Sequence, residues 1–220
     1  MNDVKEIEVM QSVFSRNDGM ADEINKSMSD KGIFVVNLLG SPGAGKTSSL
    51  IRLVPKLGGK VFVIEGDIES DIDTKKLREL GIETLQINTG GACHLDAKMI
   101  DSAVKEMPLT SGFLFVENIG NLVCPIEFMI GEHIKMLVSN VTEGSDKPYK
   151  YPRAFEKADI ILIGKCDLIE HVDFDEEFFT EGVRKLNQAA PIFKVSCKTG
   201  VGFDEVTDWI TARAESVIGR

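Results

Sequence analysis

Three observations predict an α/β protein with a mostly parallel, twisted sheet and helices on both faces. Strand-like apolar runs alternate with helix-like periodic stretches from residue 33 onward, the pattern of successive β-α-β crossovers. The first run feeds Gly40-Ser41-Pro42-Gly43-Ala44-Gly45-Lys46-Thr47, which fits G-x-x-x-x-G-K-S/T, and an apolar helical pattern (Leu50, Ile51, Leu53, Val54) follows it. The chain has 220 residues, 43% of them hydrophobic, enough to bury the full core of one domain of this class.

Residues 1–32 are polar and periodic and read as an N-terminal helical segment of one or two amphipathic helices; residues 33–220 read as the α/β domain. Residues 33–39 form the first expected strand, a short apolar run ending in glycine, and 47–55 carry the helical spacing that returns the chain. The run Val61-Phe62-Val63-Ile64-Glu65 is the second strand, with a helix over 73–80 opened by Asp73 and Thr74. A strand at 83–87 leads to a helix over 95–105, and the strand at 113–116 follows. Strands at 134–141, 160–163 and 192–195 complete the sheet, separated by helices over 153–157 and 176–187 and closed by a helix over 204–218. No internal repeat, low-complexity tract or linker marks a second domain.

Composition narrows the function. Lys and Arg total 25 against 35 Asp and Glu, a formal net charge of −10, so the chain lacks the basic field of a nucleic-acid binder, and any anion site must be local. No stretch has the length of an apolar membrane span. The start, Met1-Asn2-Asp3-Val4-Lys5-Glu6, is acidic where a signal peptide is basic and then apolar. A cytoplasmic protein is expected, and its four cysteines read as thiols rather than a disulfide framework.

The glycine-rich run reads as the phosphate loop of a nucleoside-triphosphate site, that of a P-loop NTPase. Its glycines let backbone N–H groups of Gly43, Ala44 and Gly45, continuing to Ser48 in the helix, turn toward a pyrophosphate at the helix's positive end. Lys46 would reach the β and γ phosphates and Thr47 would hold Mg2+. Chemistry in such sheets gathers beyond the carboxyl ends of the strands, and the strand ends here supply the parts of a GTPase. Gly164-Lys165-Cys166-Asp167 is similar to the N-K-x-D motif: Asp167 can accept both N1–H and 2-amino hydrogens of guanine, and the stem of Lys165 can cover the base. Gly164 departs from that motif by removing an amide that normally ties it to the phosphate loop and the base. Ser196-Cys197-Lys198 is similar to the S-A-K loop, whose backbone contacts guanine O6. Asp67 and Glu117 end two other strands, and Gly120 stands three residues after Glu117 as in D-x-x-G, so these carboxylates are assigned to Mg2+ and its water and the glycine amide to the γ-phosphate. Asp73 reads equally as a Mg2+ ligand or a helix cap.

A second constellation is unrelated to nucleotide. Cys93 and His94 follow the third strand and Cys124-Pro125 the fourth, and two thiols with an imidazole suit Zn2+ or Ni2+ rather than Mg2+. Adjacent Cys-His lacks zinc-finger spacing, so by spacing alone these cysteines read more readily as packing than as metal ligands. Cys166 and Cys197 read as packing within the base-reading loops, and His133 and His171 have no visible partner motif.

Nearly end to end, the chain resembles the nickel-insertion GTPases of nickel–iron hydrogenase maturation, the HypB family. The resemblance rests on the run from Gly40 to Thr47, on Val63-Ile64-Glu65-Gly66-Asp67, on the stretch from Thr89 to Ala97, on Glu117-Asn118-Ile119-Gly120-Asn121-Leu122-Val123-Cys124-Pro125, on Thr142-Glu143-Gly144-Ser145-Asp146-Lys147-Pro148 and on the stretch from Ser196 to Gly200. It implies that Cys93, His94 and Cys124 bind Ni2+ or Zn2+ at the edge of the GTPase domain, that dimerisation depends on GTP, and that the partners are a nickel-delivery chaperone and a hydrogenase large-subunit precursor. The Cys-x-x-Cys-Gly-Cys motif and His-rich tract of some members are missing from this sequence, so a separate high-affinity nickel site and nickel storage are not expected. Slow turnover is expected, since no glutamine or arginine finger is evident. Rival readings are a urease-type or cobalamin-enzyme-type G-protein chaperone, a P-loop small-molecule kinase, and a metal-binding adaptor with a degenerate nucleotide site. The Cys93-His94 pair with Cys124-Pro125 favours the hydrogenase type, and Arg52, Arg78, Arg153 and Arg184 are too scattered for a kinase lid.

Overall fold

The computed structural model describes residues 3–67 and 72–219, with side chains over 14–67 and 74–219. Seven strands among these residues form one sheet: β1 (Ile33–Gly40), β2 (Lys60–Asp67), β3 (Glu83–Asn88), β4 (Gly112–Glu117), β5 (Ile134–Asn140), β6 (Ile160–Gly164) and β7 (Ile192–Lys194). The order across the sheet is β3-β2-β4-β1-β5-β6-β7, and every pairing is parallel. Each expected strand is present; most run one or two residues past the expected ends, while β5 and β7 stop one residue short of them.

The helices are α1 (Asp3–Asp30), α2 (Lys46–Leu53), α3 (Ile72–Glu79), α4 (Ala97–Glu106), α5 (Cys124–Glu127), α6 (Lys147–Lys150), α7 (Pro152–Glu156), α8 (Glu176–Leu186) and α9 (Phe203–Ile218). The N-terminal segment is one continuous helix. The fourth helix begins two residues later than its apolar pattern, because the Asp96 carboxylate accepts from Met99 N at 2.8 Å and caps the helix there. Asp175 caps α8 in the same way through Phe178 N.

The sheet buries both faces. On one, Phe34, Val36 and Leu38 of β1 pack with Leu50 and Leu53 of α2, Leu77 of α3, and Phe203, Val206 and Ile210 of α9. On the other, Ile33 and Val35 pack against Ala21, Ile24 and Met28 of α1 and Ile100 and Ala103 of α4. Beyond them Leu39 and Leu137 join Phe155 of α7 and Phe179 and Val183 of α8. Each large apolar side chain so buried contributes about 1.5–3 kcal/mol.

His133 finds its partners across this interface. Its Nδ1 accepts from Val35 N at 2.8 Å, its Nε2 lies 2.9 Å from Ser29 Oγ, and its ring stacks on Phe34. Ser29 Oγ donates its own hydrogen to Asn25 O, so the ring is the neutral Nε2–H tautomer. Burial lowers its pKa from 6.5 to about 4, against the opposing pull of Glu132. A depressed histidine pKa means the unfolded chain takes up the proton first, so stability falls as pH drops from 6.5 toward 4. Between about pH 7 and about pH 5 this partly exposed group should cost about 1 kcal/mol once solvent screening is allowed for. Urea midpoints of the wild type and His133→Gln at those two values test this. The variant should lose less stability on acidification, and an identical loss would contradict the assignment.

Candidate functional site

The phosphate loop is formed where β1 leaves the sheet. Gly43 and Gly45 take φ of 71° and 103°, left-handed values that a side chain disfavours, and Gly45 then caps α2. The N–H groups at the start of α2 are thereby aimed out of the helix end, as an anion site requires. Lys46 is buried, and its Nζ donates to Gly40 O and Ser41 O, each at 3.3 Å, so the ammonium is folded back over its own loop. Thr47 Oγ1 donates to Glu117 Oε1 at 2.9 Å. Ser48 is exposed on the first turn.

Hard oxygen donors therefore meet at the helix start, a set suited to Mg2+. Glu117 ends β4, directly beside Leu38 of β1 and Glu65 of β2. Asp67 ends β2 at the same carboxyl edge, one strand farther from β1. The Asp73 side chain lies outside the described residues, so the choice between cap and ligand stays open. Gly120 lies against the phosphate loop: a Cβ there would sit 2.9 Å from Pro42 Cα.

The two segments expected to read the base lie in contact. Asp167 Oδ1 accepts from Ser196 Oγ at 2.6 Å, and Cys166 N donates to Val195 O. Lys165 adopts a left-handed φ of 56°, and its Nζ donates to Gly43 O at 3.1 Å, tying this motif to the phosphate loop where Gly164 has no side chain to do so. A Cβ at Gly164 would meet Ser139 O at 3.2 Å and Ala44 O at 3.5 Å, so a larger residue fits here only by displacing backbone. The Cys197 and Lys198 carbonyls are held by Arg52, through Nε at 2.6 Å and Nη2 at 3.2 Å. Cys197 packs against the core beside Ser49, and burial raises its pKa, as befits a packing thiol; Cys166 is raised for the same reason.

Cys93, His94 and Cys124 converge, with their ligand atoms within 4.8 Å of one another. Cys93 Sγ lies 3.4 Å from His94 Nδ1. A hydrogen bond with Cys124 raises the Cys93 thiol above its ordinary range, with smaller contributions from desolvation and from the neighbouring charge. Desolvation lowers His94 against the pull of Asp96, which favours the neutral imidazole that ligates metal. The His94 ring stacks on Phe128 at 4.0 Å, and Phe14 of α1 packs behind Phe128. Left-handed Gly90 and Gly91 turn the chain into this corner. A Cβ at Gly66 would fall 2.8 Å from Leu95 Cδ1, which seats the metal-loop end directly on β2.

Several contributors escaped the sequence reading. Lys147 Nζ donates to Ser41 Oγ at 3.0 Å and pairs with Glu143; its place in the run 142–148 was the available signal. Arg52 had no local signal, nor did Asn17, whose Nδ2 donates to Met129 O and whose Oδ1 accepts from Ala97 N. Asn118 is buried: its Oδ1 accepts from Leu95 N at 3.1 Å and its Nδ2 donates to Asn37 Oδ1 at 3.2 Å.

Residues 34–194 match the family model described as the CobW/HypB/UreG nucleotide-binding domain. The hydrogenase maturation factor HypB of Rhizobium leguminosarum bv. viciae is 40% identical over 217 residues, spanning 97% of this chain and 73% of that protein. HypB of Azotobacter vinelandii is 42% identical over 207 residues, 93% of this chain and 68% of its own length. Among solved structures, HypB from Helicobacter pylori in complex with nickel superposes with a TM-score of 0.87 at 35% identity, covering 91% of this chain and 96% of that one. HypB from Archaeoglobus fulgidus gives 0.84 at 35% identity, covering 91% and 99%. This P-loop NTPase chain belongs to the HypB hydrogenase maturation factor family of CobW/HypB/UreG nucleotide-binding proteins.

Proposed function

We propose that this protein is a GTP-hydrolysing metallochaperone that binds Ni2+ or Zn2+ and delivers nickel during nickel–iron hydrogenase maturation. The observation that carries this reading is that one short segment, residues 117–124, serves both sites: Glu117 bonds Thr47 of the phosphate loop, and Cys124 stands among the metal donors. The nickel-bound Helicobacter pylori relative supports nickel as the cargo.

In this reading residues 1–32 are the helical segment and 33–220 the GTPase domain. Backbone N–H groups of Gly43, Ala44, Gly45 and Ser48 bind the phosphates, and Lys46 neutralises their charge. Thr47, Asp67 and Glu117, with Asp73 as a further candidate, would hold Mg2+, which would supply charge neutralisation at the phosphate oxygens. Glu117 orients the attacking water, and Gly120 N–H binds the γ-phosphate; hydrolysis leaves GDP and inorganic phosphate. Asp167 and Lys165 hold the guanine, with the Ser196-Cys197-Lys198 loop at its edge. Cys93, His94 and Cys124 take the cargo metal. Val123, the residue before Cys124, is exposed, and the family resemblance adds that the functional form is a GTP-dependent homodimer in the cytoplasm. Its partners are a nickel-delivery chaperone and the hydrogenase large-subunit precursor.

The kinase alternative loses support from its arginines. Arg52 bonds Cys197 O and Lys198 O, Arg78 bonds Thr84 O, Arg153 pairs with Glu127 and Glu156, and Arg184 bonds Asn187 O and Ala190 O. All four are committed to local structure.

Lys46→Ala should abolish GTP hydrolysis with the circular-dichroism spectrum and melting temperature of a folded protein, because its ammonium serves phosphate rather than the apolar core. Turnover equal to wild type would make the loop merely structural.

Asp167→Asn should weaken GTP binding by about 2 kcal/mol or more through loss of a paired, charge-assisted contact, and should admit xanthosine triphosphate, whose O2 accepts from the new amide. Equal affinity of the wild type for ATP and GTP would refute the guanine assignment.

Ni2+ and Zn2+ titrated into apo, GDP-bound and GTP-analogue-bound protein, with mass followed by light scattering, test the handover. Metal affinity should differ between the nucleotide states by about 1–3 kcal/mol and fall with pH as thiol protons compete, and dimers should be most abundant with GTP analogue and metal together. Identical affinities in the three states would rule out handover. Unchanged affinity in the Cys93→Ala, Cys124→Ala double variant would rule out the site.

A further inference from the structure

We infer that Asn121 is the positioning residue through which the phosphate loop sets the geometry of the metal ligands. The inference rests on the two-site reading above and names the side chain that transmits between the sites. Four contacts place it there. The backbone of Asn121 forms an isolated antiparallel bridge with Gly40, the first residue of the phosphate loop. Gly120, one residue earlier, has no room for a Cβ against Pro42, so a displacement of the loop at Pro42 is passed to residue 121 by direct contact. The Asn121 side chain then divides its bonds between the two ligand-bearing loops. Its Nδ2 donates to Cys93 O at 3.3 Å, and its Oδ1 accepts from Val123 N at 2.9 Å, the residue before Cys124.

The chemistry of the amide suits this role. A carboxamide donates and accepts at once, whereas a carboxylate only accepts and alanine does neither. The far end of the Cys93-His94 pair is fixed independently: Leu95 N is held by buried Asn118, which is bonded in turn to Asn37 of β1. The pair is therefore suspended between a rigid anchor at Leu95 and an adjustable one at Cys93 O. Moving Asn121 with the phosphate loop rotates Cys93 relative to Cys124 while His94 stays near its place. Asn121 is only partly buried, so its truncation leaves the core untouched.

The test compares wild type, Asn121→Ala, Asn121→Asp and Cys124→Ala as full-length protein. Ni2+ affinity is measured by competition in the GDP-bound and GTP-analogue-bound forms, together with the nickel–thiolate charge-transfer band. The wild type should show an affinity ratio between the two forms of about 5- to 150-fold, with a band that shifts between them. Both Asn121 variants should bind nucleotide and nickel but bring the ratio to within about twofold of one, with a band that no longer shifts. The ratio cancels the charge that Asp introduces, and Asp retains the turn at Val123 while losing the bond to Cys93 O. A wild-type ratio preserved in Asn121→Ala overturns the inference, and one preserved in Asn121→Asp alone overturns the Cys93 tie. Unchanged nickel affinity in Cys124→Ala would instead bring down the two-site reading itself.

Discussion

Burial of β1 on both faces is the constraint from which the rest follows. All eight of its residues are buried, and it stands at the middle of the sheet between β4 and β5. A strand with no solvent side must be covered twice, so helices are required on both faces. At its carboxyl end only glycine fits: a Cβ at Gly40 would lie 2.6 Å from Val138 O of the neighbouring strand. The chain leaves through glycines, reverses, and returns as α2 over the same face that Phe34, Val36 and Leu38 present. The phosphate loop is where the core puts the turn.

One polar residue interrupts this strand, and it organises the site from beneath. Asn37 is fully buried, and its Nδ2 donates to Glu132 Oε1 while its Oδ1 accepts from Asn118. Glu132 is itself buried, pairs with Lys135 and accepts from Ile130 N at 2.7 Å. Leaving any of these groups unpartnered would cost about 1–3 kcal/mol. Together they lock the end of β4, the middle of β1 and the approach to β5 into one register, and the loop carrying Gly120 and Cys124 is launched from that frame. A fully satisfied polar line specifies geometry in a way an apolar core does not.

How far the sequence could be read follows from the range of each signal. Strands were legible because an apolar run of four to eight residues is a local pattern, and Gly40 to Thr47 was legible because its chemistry needs adjacent residues. Cys93-His94 and Cys124-Pro125 were visible as donors, but spacing favoured packing over metal; the convergence of the three side chains, which lie far apart in sequence, was not legible there. Arg52 on the carbonyls of Cys197 and Lys198 and Asn17 bridging Met129 and Ala97 had no usable signal beforehand, since their partners lie on other elements far along the chain. Short α5 and α6, four residues each, begin with a Pro at their first or second position and carry too few residues to show a helical period. The single long α1 was ambiguous because polar periodicity does not say where one helix ends and another begins.

In the proposed handover, the arrangement directs loop movement toward the metal corner rather than into the core. Packed interiors resist continuous deformation, and residues 117–119 are buried and bonded to β1 through Leu38 O and Asn37. Gly120 is pressed on Pro42 from the outside. A movement of the phosphate loop therefore cannot be taken up on the β4 side, where the chain is held, and is directed along residues 121–124, where Val123 is 61% exposed and α5 is a single turn. The compliant end of the segment is the one that carries Cys124. Coupling between two sites is reciprocal in free energy, so a metal that fixes Cys124 against Cys93 must in turn stiffen this segment and hold Gly120 and Glu117 against the phosphate loop. In that proposal the metal acts in return as a ligand of the nucleotide site.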